Sequence, residues 1–462
     1  MGTKTVDCVI VGGGITGLTA AYRLRRLRPE WSILLLEAGE RLGGKLKTER
    51  VGEFVVEASA DSFLARKPAG IALVEELGLA DQIQGRRPEN RKTFVQRHGN
   101  LYRLPEGLTG LIPTNLDALY AHPLLSPEAA ARVAQEPTLP IREGDEDESV
   151  GDFISRRMGR ELYENLVEPL MGGIYGGRAD LLSLQAVFPQ LRNLELTHGS
   201  LLKGLTQPKK TTAAPSYPPF VSFKGGIGTL VDRLAAALDG VEVRTGCAVE
   251  SVMELDGGWE VVVDGGEGIS AENLILTTPA YITSKLLANN NPELSNALAA
   301  IPHSSAAIVT LAFNKADIEN QLNGYGYVIP RIEGKEILAC TWSSQKWGNR
   351  APERSVLLRV YLGRYGVDVT AYEDSLLIGL AKAELAGVLG ISAEATLTTL
   401  HRWKNSIPQY MLGHLDRIAK IRTLEADCTG LHLAGAYFDG VGIPDCIRHG
   451  DTVARKITNR RG

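Results

Sequence analysis

Three glycines spaced Gly12-x-Gly14-x-x-Gly17 stand between a short β-branched run, VDCVIV, and a stretch of helical periodicity. In that setting each glycine has a mechanical task. Gly12 makes a tight turn, Gly14 lets an anionic group approach the backbone, and Gly17 lets the helix lie close on the strand. The helix then offers unpaired N–H groups and a partial positive charge, so the expected anion is a phosphate or pyrophosphate. Glu37 follows about twenty residues beyond Gly17, at the end of the next apolar run, where a carboxylate accepts from a ribose hydroxyl. The triplet alone is a weak signal, because a tight βα turn that binds nothing looks the same. Strand, helix and spaced carboxylate together predict a dinucleotide site.

Beyond Glu37 the chain reads AGERLGGKLKT, a second glycine pair (Gly43-Gly44) flanked by Arg41 and Lys45. A nicotinamide dinucleotide seldom needs more backbone and cation contacts there. A flavin dinucleotide, threaded extended through the protein, does; a surface loop with a glycine turn is the plainer alternative. Elsewhere no catalytic constellation suggests itself. The eight histidines are scattered without H-E-x-x-H spacing, and Cys8, Cys247, Cys340, Cys428 and Cys446 form no C-x-x-C pair. We therefore expect no catalytic side chain and no metal, with the chemistry carried by a cofactor.

These residues need elements to hold them. Residues 6–11 read as a strand, 15–28 as a helix closed by Pro29, and 32–38 (SILLLEA) as a second strand, one βαβ unit. Residues 225–238 read as a helix with a glycine-rich entry. VEVRTGCAVESVMEL and WEVVVDG follow as strands, and AENLILTTP (271–279) as a buried strand. GLHLAGAYFDGVGIPDCI gives a last strand at 431–434, a glycine turn and a terminal helix. Residues 105–220 differ, with Leu- and Ala-rich helical stretches and an acidic run at 143–148 that reads as a solvated, mobile loop. Ser149 and Asp152 predict a capping box, and 207–220 a connector. Residues 300–425 mix strands (AAIVTLAF, SVLLRVYLG) with a helix near 373–389, an α+β lobe.

Composition sets the outer bounds. At 462 residues and 44% apolar content, two or three domains can each bury a core. A net charge of −4 argues against a dedicated nucleic-acid binder. Five scattered cysteines fit a reducing compartment. The start shows neither a signal nor a transit pattern, and no apolar run is long enough to span a membrane, so a cytoplasmic location is expected. A leucine-rich helical lobe leaves peripheral membrane contact open.

GGGITGL, LLEAGERLGGK, ADSFLARK, LVEPLMGGIYGG, LTTPA, IPQYMLGH and LAGAYFDGVGIPDCI stand in the order found in the flavoprotein family of protoporphyrinogen and coproporphyrinogen oxidases. The chain resembles its Gram-positive-type bacterial members most, from Val9 to about Ala454. The first two motifs belong to the wider flavin amine oxidase superfamily; IYGG, IPQY and GVGIPDCI are narrower. One departure stands at Ala58-Ser59-Ala60, where such oxidases usually read Arg-Gly-Pro.

The resemblance implies an α/β fold: a discontinuous Rossmann-like FAD-binding domain (1–65, 221–295 and 426–462), an α+β substrate lobe (66–104 and 296–425) and a mostly helical lobe (105–220). It implies non-covalent FAD touching Gly12, Gly13, Gly14, Ile15, Thr16, Gly17 and Leu18 at the phosphates, and Glu37 with Ala38 at the ribose. Gly44, Lys45, Ser59, Ala60, Asp61 and Ser62 would lie along the cofactor, Val249 beside the adenine, Trp403 bordering the flavin region, and Val441, Gly442 and Ile443 against the ring. Pro444 suits the first turn of the terminal helix, whose positive end would face the ring and favour its reduced, negative form. The implied reaction is hydride removal from a porphyrinogen, with dioxygen reoxidising the flavin and hydrogen peroxide as product. Coproporphyrinogen III is the expected substrate and protoporphyrinogen IX the alternative. Lys67 is the expected propionate partner, with Arg91, Lys92 and Arg97 nearby in sequence, and Ile174 with Tyr175 would cover the tetrapyrrole. The plainer readings are a surface lysine, core packing between glycine hinges and, for Trp403, a core aromatic. Two rival functions stand beside this one: another flavin oxidase acting on amines or polyenes, and a non-catalytic relative binding a lipidated protein.

Overall fold

The run Lys4–Val11 becomes the central strand of a seven-stranded sheet, with Cys8, Val9 and Ile10 wholly buried. The computed structural model describes residues 4–207, 216–318 and 322–459. The connector expected at 207–220 therefore falls largely outside the described residues. Ile33–Leu36 pairs in parallel with one edge of the central strand and Val241–Arg244 pairs beyond it. Gly268–Leu276 pairs in parallel with the other edge. The far edge of that strand is shared: Gly258–Val263 takes its first half in antiparallel register, and Leu431–Leu433 takes residues 274–276 in parallel. Both faces are covered where Cys8–Val11, Ile33–Leu36 and Leu274–Leu276 lie side by side, which is why those stretches read as unbroken apolar runs. Cys8, Ile10, Ile33 and Leu35 face the helices Ile15–Leu27 and Ile443–Asn459, while Val9, Val11, Leu34 and Leu36 face Ala280–Leu287 and Pro292–Ala299.

Strand order reverses at the carboxyl end of the central strand, where Gly12 begins its turn. In an open α/β sheet that is where ligands bind. The elements match the pattern reading within a few residues. The buried strand expected at 271–279 starts earlier, at Gly268, and stops at Leu276, because Pro279 instead opens the helix Ala280–Leu287.

A second seven-stranded sheet runs Leu397–Pro408, His303–Asn314, Ser355–Leu362, Ile337–Trp342, Gly326–Val328, Phe94–Arg97 and Asn100–Arg103. It is antiparallel except where Gly326–Val328 meets Phe94–Arg97, and Leu377, Ala381 and Leu385 of the helix Asp374–Leu389 join its core. Helices between Leu116 and Thr206 surround a third core containing Phe153, Leu162, Leu166, Met171 and Leu184.

Ser149 caps the helix Val150–Met158, accepting from Asp152 N at 3.0 Å. The return arm goes to the Ser149 hydroxyl, which donates to Asp152 Oδ2 at 2.7 Å. The acidic run is not a free loop throughout. Asp147 accepts from Ser183 Oγ at 2.8 Å and Gly413 N at 3.0 Å, and Glu148 pairs with Arg156 at 3.0 Å. Its second half is a tether, since carboxylates found partners far along the chain.

Candidate cofactor and substrate site

The glycine turn is built as its spacing demands. Gly12 adopts φ +108°, and a Cβ there would lie 2.7 Å from Thr277 Oγ1. A Cβ on Gly17 would drive into the Gly12 carbonyl, so helix and strand touch only because that atom is absent. Gly14 differs, for a Cβ there meets nothing within 4 Å. The protein leaves open space in front of the first helix turn. Ile15, Thr16 and Leu18 bury their side chains. Leu18 N also donates to Gly14 O at 2.9 Å, so neither its amide nor its side chain is turned to a ligand. The place expected for Leu18 in the cradle is one the geometry does not support.

Glu37 ends the second strand half-buried, accepting from Gly13 N at 2.6 Å and Gly39 N at 2.8 Å. Its backbone carbonyl accepts from Cys247 N at 2.9 Å, which sets half-buried Val249 close by and leaves Ala38 exposed. The second glycine pair folds against the first: Gly43 N donates to Gly13 O at 2.7 Å, and a Cβ on Gly44 would sit 3.1 Å from Gly14 Cα.

Lys45 continues this wall. Its ammonium donates to the Ser406 carbonyl, and its own carbonyl accepts from Ser59 Oγ. Burial lowers its pKa, partly opposed by Cys446, although the residue keeps exposed surface. His303 lies in the same field. Burial and then Lys45 bring it down to about 4, and Tyr281 packs edge-on at 5.1 Å. Neither residue was marked by any local motif.

The chain at 58–62 is held by the second sheet. Trp403 Nε1 donates to Ala58 O at 2.6 Å, and Arg359 to Ser59 O. Ala60 is exposed, and Ser62 Oγ donates to Asp61 at 2.8 Å. Asp61 itself is buried and bound by Lys346 at 2.9 Å, Trp347 Nε1 at 2.9 Å and, at 3.7 Å, Arg359. Burial alone would raise its pKa, but Lys346 and Arg359 hold it far below the usual carboxylate range. Its side chain thus ties the 58–62 segment to the second sheet, and only its backbone is left for a cofactor. Beside it Arg86 stacks on Phe220 and Tyr325 at 4.6 and 4.9 Å.

The terminal helix packs on the helix Ile15–Leu27. Gly450 permits it, since a Cβ there would run into Thr16 O and lie 2.8 Å from Thr19 Cβ. The two helices therefore pack nearly backbone to backbone. Cys446 is buried between them and pushed up to about 11 by burial, with Thr16 opposing. Val441 and Gly442 are half-buried and Ile443, the first residue of the helix, is buried. Pro444 sits in the first turn as expected, where its missing N–H costs no helical bond.

On the substrate side, Lys67 is not a free cation. Its Nζ lies 2.5 Å from Asp445 Oδ2, and its side chain is 41% exposed. Of its neighbours in the cationic stretch, Arg97 pairs with Glu333 and Arg91 is exposed. Ile174 is 49% exposed, whereas Tyr175 is buried edge-on against Tyr410 at 6.2 Å. They end the helix Glu168–Tyr175, which follows a π turn over Tyr163–Val167. Gln409 fixes this end, donating to Tyr175 O at 2.9 Å, and a Cβ on Gly177 would collide with it. Tyr410 accepts from Gly440 N at 2.8 Å and donates to Ala436 O. The IPQY motif thus ties the Ile174–Tyr175 segment to the loop that enters the terminal helix.

The model of the family described as flavin containing amine oxidoreductase matches residues 15–458. The chain is 35% identical to coproporphyrinogen III oxidase of Bacillus subtilis (strain 168) over 453 residues, 96% of each chain. It is 32% identical to that of Staphylococcus aureus (strain NCTC 8325 / PS 47), covering 98% of this chain and 99% of the other. It is also 30% identical to the chloroplastic protoporphyrinogen oxidase of Oryza sativa subsp. japonica, over 98% and 88%. A solved structure of a putative protoporphyrinogen oxidase from Exiguobacterium sp. 255-15 superposes with a TM-score of 0.88 at 34% identity over all of both chains. Putrescine oxidase shares the fold alone, at a TM-score of 0.70 and 18% identity. The glycine turn and the spaced carboxylate held beside it are thus the parts of a flavoenzyme, and the chain belongs to the flavin-containing amine oxidoreductases, in their porphyrinogen oxidase family.

Proposed function

We propose that the protein oxidises coproporphyrinogen III to coproporphyrin III with bound, non-covalent FAD, passing electrons to dioxygen and releasing hydrogen peroxide. The observation that carries this reading is the glycine turn, where a Cβ on Gly14 meets nothing within 4 Å at a helix N-terminus and Glu37 accepts from Gly13 N beside it. The residues present fit the cofactor. Open space beside Gly14 admits a pyrophosphate at a helix N-terminus, Glu37 keeps lone pairs for a ribose, and Lys45 supplies a cation. The cofactor supplies the hydride acceptor. The chain's part is to hold, orient and exclude water.

The substrate carboxylates require cations, because a buried unpaired carboxylate is costly. With Lys67 engaged by Asp445, the better supported partner is Arg86, which stacks on Phe220 and Tyr325 beside a cluster where Lys346 and Arg359 already outnumber Asp61. Positive charge in excess there favours a tetracarboxylate over the dicarboxylate protoporphyrinogen IX. No helix among the described residues is long and apolar enough to cross a membrane, and we read the chain as cytoplasmic. We also read the chain as three lobes with the boundaries given above. Side-by-side turnover of the two porphyrinogens tests the choice: kcat/KM should be higher for coproporphyrinogen III, with one peroxide formed per dioxygen consumed. A clear preference for protoporphyrinogen IX would overturn it.

A further inference from the structure

We infer that Asp445 is a positioning residue that tunes the bound flavin, its carboxylate opposing the positive end of the terminal helix and Lys67 limiting that opposition. The inference rests on the reading that residues 441–443 border the flavin ring.

Asp445 is the third residue of the helix Ile443–Asn459. One carboxylate oxygen does two things: it accepts from Gly442 N at 3.2 Å and meets Lys67 Nζ at 2.5 Å. The first contact is the return arm of a capping box, reaching back to the residue before the helix. It takes one of the amides the helix end would otherwise present. The side chain is only 9% exposed. The loop is moulded to it, for Gly440 has φ +126° and a Cβ there would lie 2.6 Å from Asp445 Oδ2. A Cβ on Gly442 would lie 2.9 Å from the same oxygen.

A helix end that only offered positive potential would gain nothing from a carboxylate in its first turn. A negative charge stabilises the helix itself but subtracts from the field felt by a ligand in front of it. Lys67 restores part of that field. It enters from the start of another helix, Pro68–Glu76, and a Cβ on Gly70 in that helix would lie 3.0 Å from Pro444 Cγ. The pair is therefore set by helix packing between residues far apart in sequence. Charge near the ring changes how readily it accepts electrons, and the two partners must act with opposite sign.

The test is the reduction potential of flavin bound to Asp445→Asn, Lys67→Met and the double variant. Dye equilibration at one fixed pH reads each potential. Asp445→Asn should raise the potential, on the order of tenfold in the reduction equilibrium, or ~30 mV for two electrons. Lys67→Met should lower it by a similar factor, Lys67→Arg should restore it, and the double variant should lie between the singles. Should Asp445→Asn not fold, the Lys67→Met and Lys67→Arg pair carries the test alone. Shifts of the same sign, or none, overturn the inference. Val441→Lys separates the two levels: a raised potential there with no response from the pair sinks the tuning role alone. A bound flavin indifferent to Val441→Lys as well sinks the placement of the ring and the tuning role with it.

Discussion

The proposed cofactor side and the proposed substrate side of the site are built by different means. The cofactor side is mostly backbone: Gly12, Gly13, Gly17 and Gly43 let main chain meet main chain, and Glu37 is held by two amides. The substrate side is mostly long side chains joined across the fold, as in Asp61 with Lys346, Lys67 with Asp445, and Gln409 with Tyr175. A backbone site tolerates almost no added atom. A side-chain site tolerates change in proportion to how deeply its charges are buried.

The sharpest break of that contrast lies within the glycine turn. Gly17→Val should abolish folding, because its Cβ has no room against the Gly12 carbonyl. Gly14→Val should leave the apoprotein's circular dichroism unchanged, since its side chain enters open space, yet abolish flavin retention as read by absorbance. A Gly14 variant that purifies with full flavin contradicts the cradle. On the other side, Asp61→Asn removes one partner from a buried charged cluster and should cost about 3–5 kcal/mol in denaturant unfolding. A loss within error would show that the cluster does not hold the 58–62 segment to the second sheet.

A smaller effect follows from pH. His414 stacks on Tyr410 at 4.2 Å, donates from Nε2 to Phe438 O at 3.0 Å, and is lowered to about 4 by burial. An unfolded histidine takes up its proton near pH 6.5 (roughly the free value), so between about 6.5 and 4 the unfolded chain binds more protons. Acidification through that window should destabilise the wild type. The advantage of wild type over His414→Phe should shrink from pH 7 to pH 5 in melting temperature, and a constant gap would contradict the buried neutral imidazole. The smallest effect belongs to Lys67→Ala. A partly exposed pair is worth only about 0.2–1 kcal/mol, so KM for coproporphyrinogen should rise no more than a few-fold. A rise of a hundredfold would restore Lys67 as the principal propionate partner.

This contrast also explains what could be read from the sequence. Gly12, Gly14, Gly17 and Glu37 announce themselves because local spacing alone dictates their geometry, and the stretches 8–11, 33–36 and 274–276 because burial on both faces leaves unbroken apolar runs. Arg86, His303, Lys346 and Arg359 carry no such signature: their partners lie tens to hundreds of residues away, and only the folded chain chooses them. Lys67 was legible as a cation near the site but not as Asp445's partner. Asp147 and Glu148 looked like solvent because nothing local names Ser183, Gly413 or Arg156.

The central claim is that this site holds a flavin reduced directly by a porphyrinogen. The most direct measurement mixes the purified flavin-loaded protein anaerobically with coproporphyrinogen III, protoporphyrinogen IX and a simple amine, following flavin absorbance. The account predicts rapid bleaching by coproporphyrinogen III, slower bleaching by protoporphyrinogen IX and none by the amine. Bleaching by the amine alone, or by none of the three, would contradict it.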